Sequence, residues 1–159
     1  NGGCCGGYGE DFQDLPAQAN GELNFCARTG WYTYNGSNYR DTDWFTATVG
    51  AGGEIQVFGD ADYATYFFEL TTDCDYVSVI QSTVLGPCVE GTMTVAGEPG
   101  AEVWLWAGPT VFSSPNGIHP YEYSYVLHLT GLAGDELTGI PDGQIIETST
   151  WSRVKSLYR

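Results

Sequence analysis

Apolar and polar residues alternate with a period of two along much of this chain. The clearest case is Phe45-Thr46-Ala47-Thr48-Val49, where Phe45, Ala47 and Val49 share one face and the two threonines the other. That is the pattern of a half-buried β-strand. Leu23, Phe25 and Ala27 alternate before it, and residues 31–34 either continue as a strand or end in the turn Asn35-Gly36. After it, Ile55 with Val57 and Met93 with Val95 mark strands over 54–58 and 91–96, separated by the β-formers of 63–70 and 76–80. Residues 102–106 set Trp104 and Trp106 on one face against Val103 and Leu105 on the other. The last strand carries Tyr121, Tyr123, Tyr125, Leu127 and Leu129 along one face. About eight strands at short spacing, with no convincing helix among them, predict an all-β antiparallel sandwich, jelly-roll-like in design.

The pattern divides the chain in three. Residues 1–19 are a Gly/Cys-rich segment, 20–132 the β-sandwich, and 133–159 a linker with a basic C-terminal tail. In the tail, Trp151, Val154 and Leu157 recur at helical spacing after Ser149 and Thr150, residues that cap helices. Lys155 and Arg159 suit the C-terminal end of such a helix. A short helical tail of this kind needs a surface, on its own domain or on a neighbour. Trp151, Arg153, Val154, Lys155, Leu157 and Arg159 are therefore the candidate assembly residues.

Charge sharpens this picture. Twenty acids face five bases in 159 residues, a net charge of −15. Residues 1–150 hold two bases against all twenty acids, a net −18, and the remaining nine residues carry +3. So acidic a body repels nucleic acid and anionic lipid. It attracts cations or the basic tail of another copy, which makes a homo-oligomer or filament the expected partner state. No apolar run reaches the roughly 18 residues of a membrane span. The chain opens at Asn1 with neither Met nor apolar leader, as expected of a processed, secreted, extracellular protein.

Five cysteines, at 4, 5, 26, 74 and 88, add a disulfide framework to that expectation. Cys74 and Cys88 would close a loop of about 15 residues, worth about 3 kcal/mol by chain entropy. Cys26 would pair with Cys4 or Cys5, leaving one thiol over.

Enzyme motifs are missing: there is no Gly-x-Ser-x-Gly elbow, no His-Glu-x-x-His and no phosphate-binding glycine loop. The expectation is a non-catalytic protein. Calcium is the candidate cofactor, because Asp41 with Asp43, Asp60 with Asp62, and Asp73 with Asp75 each place two hard oxygens on one side of an extended chain. The rival reading is aspartate as turn-former. Trp31, Trp104 and Trp106, with Tyr32 and Tyr34, are candidate polysaccharide-stacking residues, or else core. Asn35-Gly36-Ser37 is a glycosylation sequon.

The opening Asp41-x-Asp43-Trp44-Phe45, the alternating strand over 54–58, the strands over 91–96 and 102–106, and the closing strand over 123–129 resemble the bacterial pre-peptidase C-terminal (PPC-like) domain family. The resemblance spans residues 41–132 and rests mainly on its opening motif. It implies a secreted, non-catalytic β-sandwich of the kind that accompanies secreted enzymes and in some members binds matrix, polysaccharide or calcium. Thr150-Trp151-Ser152-Arg153-Val154-Lys155 resembles endings of secreted multidomain bacterial proteins. The reading that joins these observations is a subunit of an extracellular assembly. Its rival is a carbohydrate- or matrix-binding accessory module assisted by calcium.

Overall fold

The computed structural model describes residues 3–4, 11–112 and 121–134. It is all-β, with ten strands in two five-stranded sheets. In chain order these are β1 (Gln13–Asp14), β2 (Leu23–Tyr34), β3 (Ser37–Asp41), β4 (Asp43–Thr48), β5 (Glu54–Ala61), β6 (Thr65–Leu70), β7 (Val79–Leu85), β8 (Gly91–Ala96), β9 (Glu102–Pro109) and β10 (Glu122–Thr130). Sheet I runs β1-β4-β9-β6-β7 and sheet II runs β3-β2-β10-β5-β8. All pairings between named strands are antiparallel except the two-residue β1 against β4.

The main core fills the space between the sheets. Phe45, Ala47 and Val49 meet Ile55, Val57, Leu127 and Leu129 there, as the period-two pattern requires. Val103, Leu105 and Ala107 of β9 face the same core. Leu15, from the Gly/Cys-rich segment, is also part of it. Tyr125 is the largest side chain with no exposed surface. Its hydroxyl donates to Asp43 Oδ2 at 2.7 Å and so ties β10 of sheet II to the start of β4 in sheet I.

Three local features differ from expectation. Residues 37–41 form a strand, β3, because Asn35 (φ 49°) and Gly36 (φ 79°) make a tight turn with both residues in the left-handed region, and the chain folds straight back on β2. The strand expected over 76–80 instead begins at Val79. Asp73 accepts a hydrogen bond from the Asp75 amide at 2.9 Å and caps a 3-10 turn, Cys74–Tyr76. The third difference is the disulfide. Cys4 pairs with Cys74, in place of the expected Cys74–Cys88, while Cys26 and Cys88 are free and exposed. The reason is positional: Cys26 points to the outer side of sheet II, where it faces Val126, and Cys88 sits in the turn after β7. Cys5 and the tail residues Trp151, Arg153, Val154, Lys155, Leu157 and Arg159 lie outside the described residues.

The disulfide has a physical setting. The outer face of sheet I is apolar: Trp44, Trp104, Trp106 and Leu70 form a second cluster there, flanked by Tyr66 and Phe68. The N-terminal segment lies over it. Phe12 meets the Trp104 ring at 4.5 Å and the Trp44 ring at 5.8 Å. Gly3 bridges to Asp11 and lies so close to Trp44 that an added Cβ would come within 2.1 Å of the indole. Cys4–Cys74 fastens this covering to the end of sheet I.

Candidate functional site

At the β7 edge of sheet I the fold leaves apolar side chains exposed, with β8 alongside and Gly91 close against the Val84 carbonyl. Among the described residues β7 ladders only with β6. Its register slips: Gln81 faces Glu69, Val79 faces Leu70, and Ile80 between them has no partner. A bulge of this kind re-aims a side chain, and Ile80 is 57% exposed. Further along, Val84 is 47% exposed opposite Tyr66, whose ring lies 5.9 Å from the exposed Phe112. Tyr76 and Val77, leading into the strand, are exposed as well.

Beside Ile80 the surface folds into a groove of about 420 Å³. Leu70, Ile80, Ala101 and Val103 give it apolar walls, and Glu69, Asp73 and Glu102 give it acidic ones. The carboxylates are held in place. Glu69 Oε2 accepts from Gln81 Nε2 at 2.6 Å, and Glu102 Oε1 accepts from Trp104 Nε1 at 2.8 Å. Gln81 Nε2 also donates to the Thr94 carbonyl of β8 at 2.6 Å, which links the adjacent edges of the two sheets.

A second exposed surface lies on the β2–β3 hairpin. Tyr32 and Tyr39 face each other across the strands and stack at 5.6 Å between ring centres, and Tyr34 is exposed beyond them. The sequence-predicted stacking residues are elsewhere. Trp31 is buried, with Nε1 lacking a hydrogen-bond partner among the described residues. Trp104, against Phe12 of the N-terminal covering, and Trp106, stacked between Phe68 and Phe112, are 6% and 5% exposed. The face those tryptophans share was correctly read from their spacing, but it is not open. Tyr39, which the sequence reading missed, had one signal: its place opposite Tyr32 once Asn35-Gly36 is taken as a two-residue turn. Asn35 is exposed at the tip of this hairpin.

Among the described residues no three His, Cys, Asp or Glu side chains come together to hold an ion. Asp43 accepts from Tyr125, and Asp62 Oδ2 accepts from the Ser124 amide at 3.1 Å. Asp41 and Asp60 bring no third ligand to either pair. Burial raises the Asp43 carboxyl above its ordinary value, partly offset by the Tyr125 hydrogen bond and reinforced by Asp41. Burial raises Asp41 too. The Tyr125 hydroxyl is pushed well above its usual value by burial and by the Asp43 charge. These shifts belong to a buried structural contact between the sheets.

The disulfide fits an oxidising compartment outside the cytoplasm. Among the described residues no helix is long and apolar enough to cross a membrane. No protein-family model matches the chain, and no curated protein sequence matches it. Among solved structures the chain is similar to the crystal structure of Aeromonas hydrophila PliG, a periplasmic lysozyme inhibitor of g-type lysozyme. The two share 12% identity at a TM-score of 0.49, over 75% of this chain and 96% of that one. A likeness at that level says nothing of a shared ligand.

Proposed function

We propose that this protein is a non-catalytic, extracellular structural subunit that self-assembles through the β7 edge into an oligomer or filament. The carrying observation is the edge itself: a strand that, among the described residues, ladders only with β6 and that also exposes Val79, Ile80 and Val84. Exposed apolar edge strands are templates for pairing with another chain. β8 lies next to β7, and β3 ends sheet II on its far side from β8. A contact from β7 of one copy to the β3 side of the next is head-to-tail, which builds a filament where its rotation does not close and a ring where it does. Two finer readings accompany it. With β1 and the hairpin strand β3 set aside, the sheets read β4-β9-β6-β7 and β2-β10-β5-β8, an order in keeping with a jelly roll. The PPC-like resemblance draws support from the place of its motif, since Asp43, Trp44 and Phe45 open β4 and residues 123–129 lie in β10.

The test is sedimentation and negative-stain microscopy of the full chain beside Val84→Lys, a substitution of the type that blunts natural edges. We expect concentration-dependent species above 17.2 kDa for the native chain and their loss in V84K. A native chain that remains monomeric at every reachable concentration overturns the reading.

The stacked Tyr32–Tyr39 pair favours a second reading, an accessory module that binds a neutral polysaccharide or matrix glycan by ring stacking. Glycan binding lost in Tyr32→Ala, and unaffected by a calcium chelator, would establish it in place of assembly.

A further inference from the structure

We infer that the groove beside Ile80 is the docking site for residues 149–159 of the same chain. The inference does not rest on the assembly reading and holds for a monomer; a docked tail would cover Ile80 and leave Val84 as the exposed apolar residue of the β7 edge.

Three observations carry it. The first is charge. Glu69, Asp73 and Glu102 line the groove, and the sequence has no lysine or arginine between Arg40 and Arg153. The two arginines of the body are engaged elsewhere: Arg28 pairs with Glu122 at 2.8 Å on sheet II, and the Arg40 guanidinium lies 4.2 Å from the Phe112 ring centre. Arg153, Lys155 and Arg159 are the cations that remain, within a segment that has no acid.

The second is apolar complementarity. Leu70, Ile80, Ala101 and Val103 offer an apolar floor, with Ile80 turned out by the bulge. Trp151, Val154 and Leu157 are spaced to present apolar side chains between the basic ones. A volume of about 420 Å³ seats a few side chains rather than a whole element, as a short anchoring segment requires.

The third is where the chain leaves the fold. Val49 bridges to Leu132, and its amide donates to the carbonyl of Ala101, a residue of the groove. Described structure ends at Gly134, at the same end of the sandwich. Residues 135–148 reach up to about 50 Å when extended, so the tail arrives at the groove at high effective concentration, and its own groove outcompetes that of another copy in dilute solution.

The experiment is methyl NMR of the full chain, following Ile80 and Val103, with light scattering on the same samples. The variants are Arg153→Glu/Lys155→Glu/Arg159→Glu in the tail and Asp73→Asn/Glu102→Gln in the groove. We expect the tail variant to shift both methyl signals while leaving the melting transition of the sandwich in place. The groove variant and about 1 M salt, where screening is nearly complete, should release the tail, read as higher Trp151 mobility. Ile80 and Val103 signals identical in native and tail-variant chains overturn the inference. Shifts that appear only as concentration and molecular mass rise together also overturn it, because the occupant is then a second copy. Neither result depends on whether Val84→Lys alters assembly.

Discussion

Removing the Tyr125 hydroxyl tests how the Asp-x-Asp-Trp-Phe stretch works. Tyr125 is 0% exposed, and its hydroxyl bonds to Asp43 Oδ2 at 2.7 Å. A hydrogen bond to a charged group contributes about 1.5–3 kcal/mol, and a partner left buried costs a similar amount. Tyr125→Phe deprives a partly buried carboxylate of its donor, so we expect a loss of about 2 kcal/mol. In a domain of this size each kcal/mol moves Tm by roughly 2–4 °C, hence a drop of about 4–8 °C. Asp43→Ala should cost about as much, and the double variant less than the two together, since each single change strands the other group. The pH dependence has a definite sign. Burial raises the Asp43 and Asp41 carboxyls in the folded state, while the unfolded chain keeps values near 3.9. The folded protein therefore holds these protons longer. Their contribution to stability is full below about pH 3.9 and is lost as pH rises through the raised folded values. Asp43→Asn keeps an acceptor for Tyr125 and cannot ionise. The difference in Tm between Asp43→Asn and native protein should grow in favour of the variant across that window, measured by calorimetry from acid to neutral pH. A constant difference, or a Tyr125→Phe protein melting within about 1 °C of native, would falsify the reasoning.

Other outcomes follow from the same structure. Cys4→Ser opens a link between residues 70 apart in sequence and should cost up to about 4 kcal/mol by chain entropy, with a red shift in tryptophan emission as the covering over Trp44 and Trp104 loosens. Phe67→Ala, at a side chain with no exposure, should lose about 3–5 kcal/mol in denaturant unfolding. Gly131→Ala places a Cβ within 2.2 Å of the Glu54 carbonyl at a φ of 80° and should lower Tm measurably, whereas Gly36→Ala meets no neighbouring atom and carries only the backbone penalty of its turn. A calcium chelator should leave Tm unmoved; a fall would mean that Asp41, Asp43, Asp60 or Asp62 holds an ion after all.

The strands were legible because burial on one face writes itself into sequence every second residue. Phe45, Ala47 and Val49 are an example. The contacts between strands left no such trace. Trp104 and Trp106 alternate correctly with Val103 and Leu105, yet what covers an outer face is decided by a segment about a hundred residues away, led by Phe12. The disulfide was misread for the same reason: short separation favours Cys74–Cys88 entropically, whereas the folded sheet brings Cys74 to Cys4. The exposed Ile80 was invisible because a bulge breaks the parity on which the reading depends. Asp43 was singled out by the sequence, but its role as acceptor for Tyr125 needed β4 and β10 in register across the core.

The order of the strands also bears on how the chain reaches this state. β9 and β10, the last two strands among the described residues, are interior members of sheets I and II, not additions at their rims. Until residue 130 has emerged, β2 and β5 have no common neighbour, and sheet II exists only as two separate strand pairs, the β2–β3 hairpin and the non-local pair of β5 with β8. Partial products therefore cannot bank stability from the N-terminus onward, and closure depends on pairings of long sequence separation, which are slow to form. A sheet that closes only with β10 suits folding in the oxidising compartment where Cys4 and Cys74 join.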